Sequence, residues 1–388
     1  MSDIRRNITL FRWDHFFSGM WPMTAVLAVY FQEITHSYAA AMSVFSLCSL
    51  FQAVLEVPTG IFSDKIGRRQ TLVLSAVSLI VCLTAWAAAG QFGCTAFLFA
   101  GALFWGISDA LMSGTLDALM FETAEELNQK QNFDLIYASS RLYNQAGLFV
   151  GVLLGTGIMY FWPLQILAWA SIFPMTGQLV IALFYVNPKK ETTEPVASAV
   201  HFKQACIELW KNKKLRLFSL IEILDSSINM TIHRFEGLYF ENLIAVWLIN
   251  IVRAGKQLAG MISYAMVAHL RRFSSLKLLR VSVGAGIVLQ TAALTINNIF
   301  SVVLMPLANL FFGITTTAKT ELLQKEYPRR HRATAGSVLS LLTAVFQAGL
   351  YYFIGFLADI WDVRTALFCV VWCQLSVIWL GKRAEKRK

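Results

Sequence analysis

A chain of 388 residues that is 56% hydrophobic and only 14% charged cannot keep a globular surface hydrated, because a soluble domain carries about 25% charge. The net charge of +10 does not form a nucleic-acid face, since the lysines and arginines gather in short segments between alternate apolar runs. Composition therefore excludes a soluble enzyme and a nucleic-acid-binding domain, and points to an all-α membrane protein that crosses the bilayer many times.

A crossing helix needs about 20 mostly apolar residues. The first predicted span, 10–31, follows Arg5, Arg6 and Arg12 and has no small-residue cleavage site, so it reads as a retained helix. Its opening RWDHFF sets Asp14 and His15 either low in a cavity or at the interface beside Arg12. Span 2 (39–62) carries Glu56 and runs into GIFSDKIGRR, Gly60 to Arg69, which holds one acid, three bases and two glycines. Spans 3 (71–91) and 4 (95–122) follow. Span 4 places Asp109 near mid-membrane as a proton-coupling or substrate candidate, with Asp117 and Glu122 toward its inner end. Asp117 is expected to pair with Arg141 of span 5 (136–160), or with Arg68 or Arg69. Gly147, Gly151 and Gly155 repeat every four residues, letting a neighbouring backbone approach. Span 6 covers 162–186.

Residues 187–214 are the only long polar segment, a Pro-containing linker predicted to end in an interfacial amphipathic helix near His201–Trp210. Six further spans follow, at 216–239, 245–270, 278–297, 299–322, 334–357 and 363–381. The domains expected are a six-helix bundle over 1–186, the linker 187–214, and a second bundle over 215–388. Span 7 lines up Glu222, Asp225, Asn229, His233 and Glu236 at steps of 3, 4, 4 and 3, one helix face. Two carboxylates one turn apart repel when both are charged, which is what a proton-coupling site requires; fixed cations satisfying both are the alternative. Span 8 offers those cations on one face, with Asn250, Arg253, Lys256 and Gln257. Arg253 and Lys256 either pair with Glu222 and Asp225 or receive an anionic substrate. Asp14, Asn229, His233, Gln257 and Asn309 complete the substrate-contact candidates. Lys319 and Glu321 close span 10, where an interfacial location is expected. The six cysteines are scattered, and no cluster suggests a metal or cofactor.

Basic residues crowd the predicted inner segments, from Lys65, Arg68 and Arg69 to the tail KRAEKRK, so both termini are expected in the cytoplasm. Spans 1, 4, 7 and 10 carry intramembrane ionisable groups, whereas spans 3, 6 and 9 carry none once Arg280, at the inner end of span 9, is counted with the inner segment. This period of three is what nested inverted three-helix repeats would leave in a sequence.

The spacing Gly60-x-x-x-Asp64-x-x-Gly67-Arg68-Arg69 resembles the loop between helices 2 and 3 of the major facilitator superfamily, a large family of secondary transporters. The resemblance spans the whole chain in architecture and one loop of ten residues in sequence. It implies a cytoplasmic gate in which Asp64 meets the start of span 11 near Arg332–Ser337, while Arg68 or Arg69 meets Asp117 or Glu122. The corresponding second-half loop, AHLRRFSSLK, keeps the bases but lacks the glycine and the acid. Span 4 lacks the mid-helix arginine common in proton-coupled drug exporters, and span 5 lacks a Gly-Pro signature. E-x-P-T-G (Glu56 to Gly60) and S-G-T-x-D-A (Ser113 to Ala118) look like those of short bacterial efflux members. The resulting expectation is proton-coupled export of a small organic molecule, drug-like or carboxylate- or siderophore-like, by alternating access. The alternative is a proton symporter taking up a sugar, organic acid or peptide. No enzymatic activity, cofactor, metal or nucleic acid is expected. The partners expected are a small-molecule substrate, protons and the lipid bilayer. The chain is expected to act as a monomer, multi-pass in a bacterial inner membrane.

Overall fold

In the computed structural model, residues 2–129, 131, 133–188, 211–270, 272–326 and 332–385 are described, and every regular element among them is a helix. The amphipathic helix expected near 201–210 lies outside the described residues. Nine helices among the described residues are long and apolar enough to cross a membrane. They fall on predicted spans 2 to 6 and 9 to 12. Spans 1, 7 and 8 are helical but fall outside the nine: the first is broken, and the other two are too polar over any long window.

The chain divides into two compact units, residues 1–36 with 44–193, and 37–43 with 194–388. Residues 37–43 group with the second unit. The cause is Asp359, which accepts from the N–H groups of Tyr38 (2.7 Å) and Ala39 (3.0 Å) and from the Ser37 hydroxyl (2.7 Å). A carboxylate at a helix N-terminus satisfies free amides and complements the dipole.

In the first unit, α1 (Ser2–Gly19) and α2 (Leu27–Thr35) are separated around Pro22, which has no N–H to continue the ladder. Helix α3 (Tyr38–Ile66) keeps Pro58 in its interior, and the Thr59 hydroxyl turns back to the Leu55 and Glu56 carbonyls at 2.8 and 3.1 Å. Gly67, at φ +104°, makes the one-residue turn into α4 (Arg68–Phe92), a backbone that L side chains rarely adopt. Predicted span 4 is two helices, α5 (Thr95–Met112) and α6 (Thr115–Glu126), divided at Ser113 and a left-handed Gly114. Helix α7 (Phe133–Phe161) lies against α1 so closely that a Cβ on Gly147 would come within 2.0 Å of the Phe16 carbonyl oxygen. At Gly151 it would meet the Trp21 nitrogen at 2.9 Å. The unit ends with α8 (Leu164–Ala170) and α9 (Ile172–Phe184). Phe11, Leu119, Met120, Ala124, Ala182 and Tyr185 belong to its packed core.

The second unit opens with α10 (Lys213–Phe240), capped by the Asn212 side chain, and α11 (Val246–Leu270). Helix α12 (Ser275–Ile296) follows, then α13 (Ile299–Leu307), which continues through a 3-10 turn at Ala308–Phe311 into α14 (Phe312–Glu326). Helix α15 (Arg332–Ile360), α16 (Val363–Cys373) and α17 (Leu375–Glu385) complete it. Helix α10 packs against α14, α15, α16 and α17, which puts its polar face among other helices.

Candidate functional site

The polar face of α10 resolves into two separate charge clusters, both inside the second unit. Nearer its start, Asp225 and Glu222 share one cation, Lys319 of α14, whose Nζ lies 2.6 Å from Asp225 Oδ2 and 3.3 Å from Glu222 Oε2. Ser226 completes the arrangement: its hydroxyl accepts from Lys319 Nζ at 2.9 Å and donates to Glu222 Oε1 at 2.5 Å. The Asn229 amide donates to the Asp225 carboxylate (3.0 Å) and to its backbone carbonyl (2.8 Å), which commits that amide to the cluster. The Asp225 and Lys319 side chains are almost fully enclosed, at 3% and 5% exposure, while Glu222 keeps 25%. Two carboxylates against one ammonium leave one negative charge when both acids are ionised.

Farther along α10, Glu236 is held by two cations of α11. Lys256 Nζ lies 2.7 Å from each carboxylate oxygen, and Arg253 Nη1 lies 3.3 Å from one of them. Arg253 also donates to the His233 carbonyl at 3.0 Å, and its Nη2 contacts His233 Nε2. A ring nitrogen that accepts from a guanidinium carries no proton, so the ring hydrogen belongs on Nδ1, 3.7 Å from Glu236 Oε1. Two cations against one carboxylate leave this cluster with one positive charge. The Asn309 amide donates to the Lys256 carbonyl at 2.8 Å and braces the turn that carries the ammonium. Gln257 is half-buried on the same helix, with no hydrogen-bond partner among the described residues.

These contacts correct two expectations from the sequence. Arg253 and Lys256 pair with Glu236 rather than with Glu222 and Asp225, because both stand beside the later turns of α10. Lys319 is buried against α10 instead of lying at an interface. Ser226, Glu236 and Lys319 are the groups left off the candidates drawn from the sequence. Glu236 was visible on the span 7 stripe, whereas nothing in the sequence distinguishes Ser226 from an ordinary helix serine.

In the first unit Asp14 is buried, away from Arg12, whose Nε donates to the Ser139 hydroxyl at 3.2 Å. The Asp14 carboxylate accepts from Gln178 Nε2 and from the Tyr185 hydroxyl, both at 3.1 Å, and has no cationic partner among the described residues. Asp109 accepts from the indole N–H of Trp105, one turn earlier, at 2.6 Å. The Trp105 ring in turn packs on Trp21 and Trp86, with centroids 4.9 and 5.0 Å away.

At the expected gate, Arg68 Nη2 pairs with Glu122 Oε1 at 3.1 Å, and its Nη1 donates to the Ser63 hydroxyl at 3.0 Å. The Arg69 backbone N–H donates to Asn187 Oδ1 at 2.9 Å. Arg141 does not meet Asp117: its guanidinium donates to the Tyr137 hydroxyl at 2.7 and 3.0 Å. Asp117 is exposed. Gly60 has no atom within 4 Å of where a Cβ would stand. The side chains of Asp64 and of residues 332–335 and 337 lie outside the described residues.

Comparison with known proteins follows the same architecture. The family model of the Major Facilitator Superfamily matches residues 15–349. A search of curated proteins finds no match. Among solved structures, the nucleoside transporter NupG is similar over 100% of both chains, with a TM-score of 0.81 and 15% identity. A bacterial homologue of the human lysosomal transporter Spinster, inward-facing and unoccupied, is similar over 99% of this chain and 97% of its own, with a TM-score of 0.76 and 13% identity. The E. coli fucose:proton symporter FucP is similar over 98% and 99%, with a TM-score of 0.62 and 13% identity. At these identities the likeness is one of fold.

Proposed function

The chain belongs to the major facilitator superfamily, a transporter rather than an enzyme, and on that premise we propose that it exports a small organic molecule bearing a carboxylate in exchange for protons. In this reading the nine long apolar helices are joined by three more polar crossings, α1–α2, α10 and α11, each lining an aqueous path, which gives twelve crossings in two six-helix bundles. The basic inner loops place both termini in the cytoplasm of a bacterial inner membrane, and the chain works as a monomer.

The observation that carries the proposal is the pair of opposite, unbalanced charge clusters on one helix. Asp225 and Glu236 are eleven residues apart, or about 16 Å along the axis. The acid-rich cluster takes up a proton at Glu222 or Asp225, which loosens the hold on Lys319 and so on α14. Arg253 and Lys256 carry the excess positive charge that a substrate carboxylate would meet, with Arg253 suited to a planar two-oxygen contact. Export is supported by the likeness of Glu56–Gly60 and Ser113–Ala118 to efflux members. Asp109, Asp14, His233 and Gln257 are further candidate contacts for proton or substrate.

A second reading, uptake by symport, is favoured by one feature: the two clusters share no residue. Exchange works most simply when proton and substrate compete for one site, whereas separate sites suit joint occupancy. The test is flux into vesicles of the purified protein under an imposed pH gradient of either sign, across a panel of organic anions. Substrate movement against the proton flow supports export, and movement with it supports the symporter. An identified substrate whose flux ignores the gradient would overturn proton coupling in both readings.

A further inference from the structure

A cavity of about 510 Å³ lies within the second unit, between the start of α10 and the last turns of α14, and no residue of either charge cluster lines it. Its floor is apolar, with Leu217 and Phe218 of α10, Ile314 and Leu322 of α14, and Leu276 of α12. Its rim is cationic, with Lys213 and Lys214 at the start of α10 and Lys325 near the end of α14. Phe273, also on the wall, has the Arg272 guanidinium and the Lys277 ammonium over its ring at 5.0 and 5.1 Å, so two more cations stand at the lip.

The acids facing the cavity are Glu321 and Glu326, and Glu321 is engaged by Lys325. The lining holds three lysines against two acids, and Arg272 and Lys277 over Phe273 add to the positive excess. Two helices, α10 and α12, also begin here with their positive dipole ends. Ser274 uses its hydroxyl on the Lys277 N–H, and Ser275 and Leu276 have no backbone N–H acceptor among the described residues. The volume is that of a ligand pocket rather than a packing flaw. An apolar floor under a cationic rim, with free amides at the rim, fits a molecule with a phosphate head and a hydrocarbon tail.

From this we infer that the cavity is a binding site for an anionic phospholipid of the cytoplasmic leaflet, its phosphate held by Lys213, Lys214 and the start of α12, its first methylenes on Leu217, Phe218 and Ile314. The placement in the inner leaflet rests on the orientation proposed above. Headgroup depth at the inner ends of crossing helices is where clustered lysines meet anionic lipid. The site is separate from the transport clusters, so it sets how α10 and α14 are held rather than what is carried.

The experiment is native mass spectrometry of the full-length protein exchanged into micelles containing phosphatidylglycerol or phosphatidylcholine in equal amounts. The parent protein is compared with Lys213→Gln/Lys214→Gln and with Thr317→Phe, which fills the cavity. The expected result is a retention of phosphatidylglycerol over phosphatidylcholine of about fivefold, reduced to about onefold in both variants, with the thermal midpoint of the purified protein unchanged. Equal retention of the two lipids by the parent would overturn the inference, as would a preference that both variants keep. Inorganic phosphate or glycerophosphate displacing the bound lipid at micromolar concentration would assign a free-anion site instead. A cross-link between Thr317→Cys and Cys206 of the linker would assign the cavity to this chain and likewise overturn it. None of these outcomes depends on the direction of transport, and the lipid result stands or falls without the proton-coupling result.

Discussion

Lys256 grips Glu236 through both carboxylate oxygens, with Nζ 2.7 Å from each. Arg253 shares the same carboxylate, so one acid balances two cations in a site where every side chain but His233 is at most 13% exposed. That asymmetry makes the two sides of the cluster unequal to mutation.

Replacing Glu236 by Gln strands both cations, and breaking a buried pair in this way costs about 3 kcal/mol or more. A large fall in the thermal midpoint of the purified protein is expected. Lys256→Met leaves Arg253 on Glu236 and is expected to cost far less. A Glu236→Gln protein as stable as the parent would show that the cations do not need this carboxylate.

Lys319→Met should separate coupling from translocation. It removes the cation shared by Glu222 and Asp225 and leaves the two carboxylates facing each other without it. Gradient-driven accumulation is expected to drop at least about tenfold, the size of a lost 1.4 kcal/mol driving term, while substrate counterflow without a gradient continues. Asp225→Asn should be more damaging than Glu222→Gln, since Asp225 has the shorter contact to Lys319 and the lower exposure. Unimpaired accumulation by Lys319→Met would remove this cluster from the coupling path.

Gly147→Ala provides a packing test with a built-in control. Its added Cβ meets the Phe16 backbone oxygen, which cannot swing aside, whereas at Gly157 a Cβ meets nothing within 4 Å. Overpacking of this kind costs about 1–3 kcal/mol. Gly147→Ala is therefore expected to lower the folded yield and the thermal midpoint, and Gly157→Ala to leave both unchanged. Equal behaviour of the two would mean that α1 and α7 do not meet this closely.

The Arg68 and Glu122 side chains keep 18% and 30% exposure, and pairs that water reaches contribute about 1 kcal/mol or less. Arg68→Gln is expected to leave stability nearly intact, as measured by thermal unfolding. Asp64→Asn, by the resemblance of the loop, should cripple transport while leaving membrane insertion normal. A fully active Asp64→Asn protein at normal abundance would remove Asp64 from the gate.

What the sequence reveals and what it hides divide along chain distance. The stripe from Glu222 to Glu236 is a local pattern and can be read directly, as can the apolar runs that became helices. The partner of Asp225 is Lys319, 94 positions later, and hydropathy places such a lysine at an interface because it cannot see the acids across the bundle. Asp14 is similar: Gln178 and Tyr185, which shelter its carboxylate, come from the far end of the first unit. The division of span 4 at Ser113–Gly114 was also hidden, since an apolar run does not reveal where its hydrogen-bond ladder stops.

The indoles of Trp21, Trp105 and Trp86 stand in a row, with centroids 4.9 and 5.0 Å apart and rings tilted by 45° and 48°. Rings that close exchange excitation and, being neither parallel nor perpendicular, should produce a strong near-ultraviolet circular dichroism couplet. The middle ring of the row, Trp105, donates its N–H to the Asp109 carboxylate, so an event that alters Asp109 is expected to change the near-ultraviolet signal of the row. The first unit thus contains an optical reporter of its own interior, readable without a label.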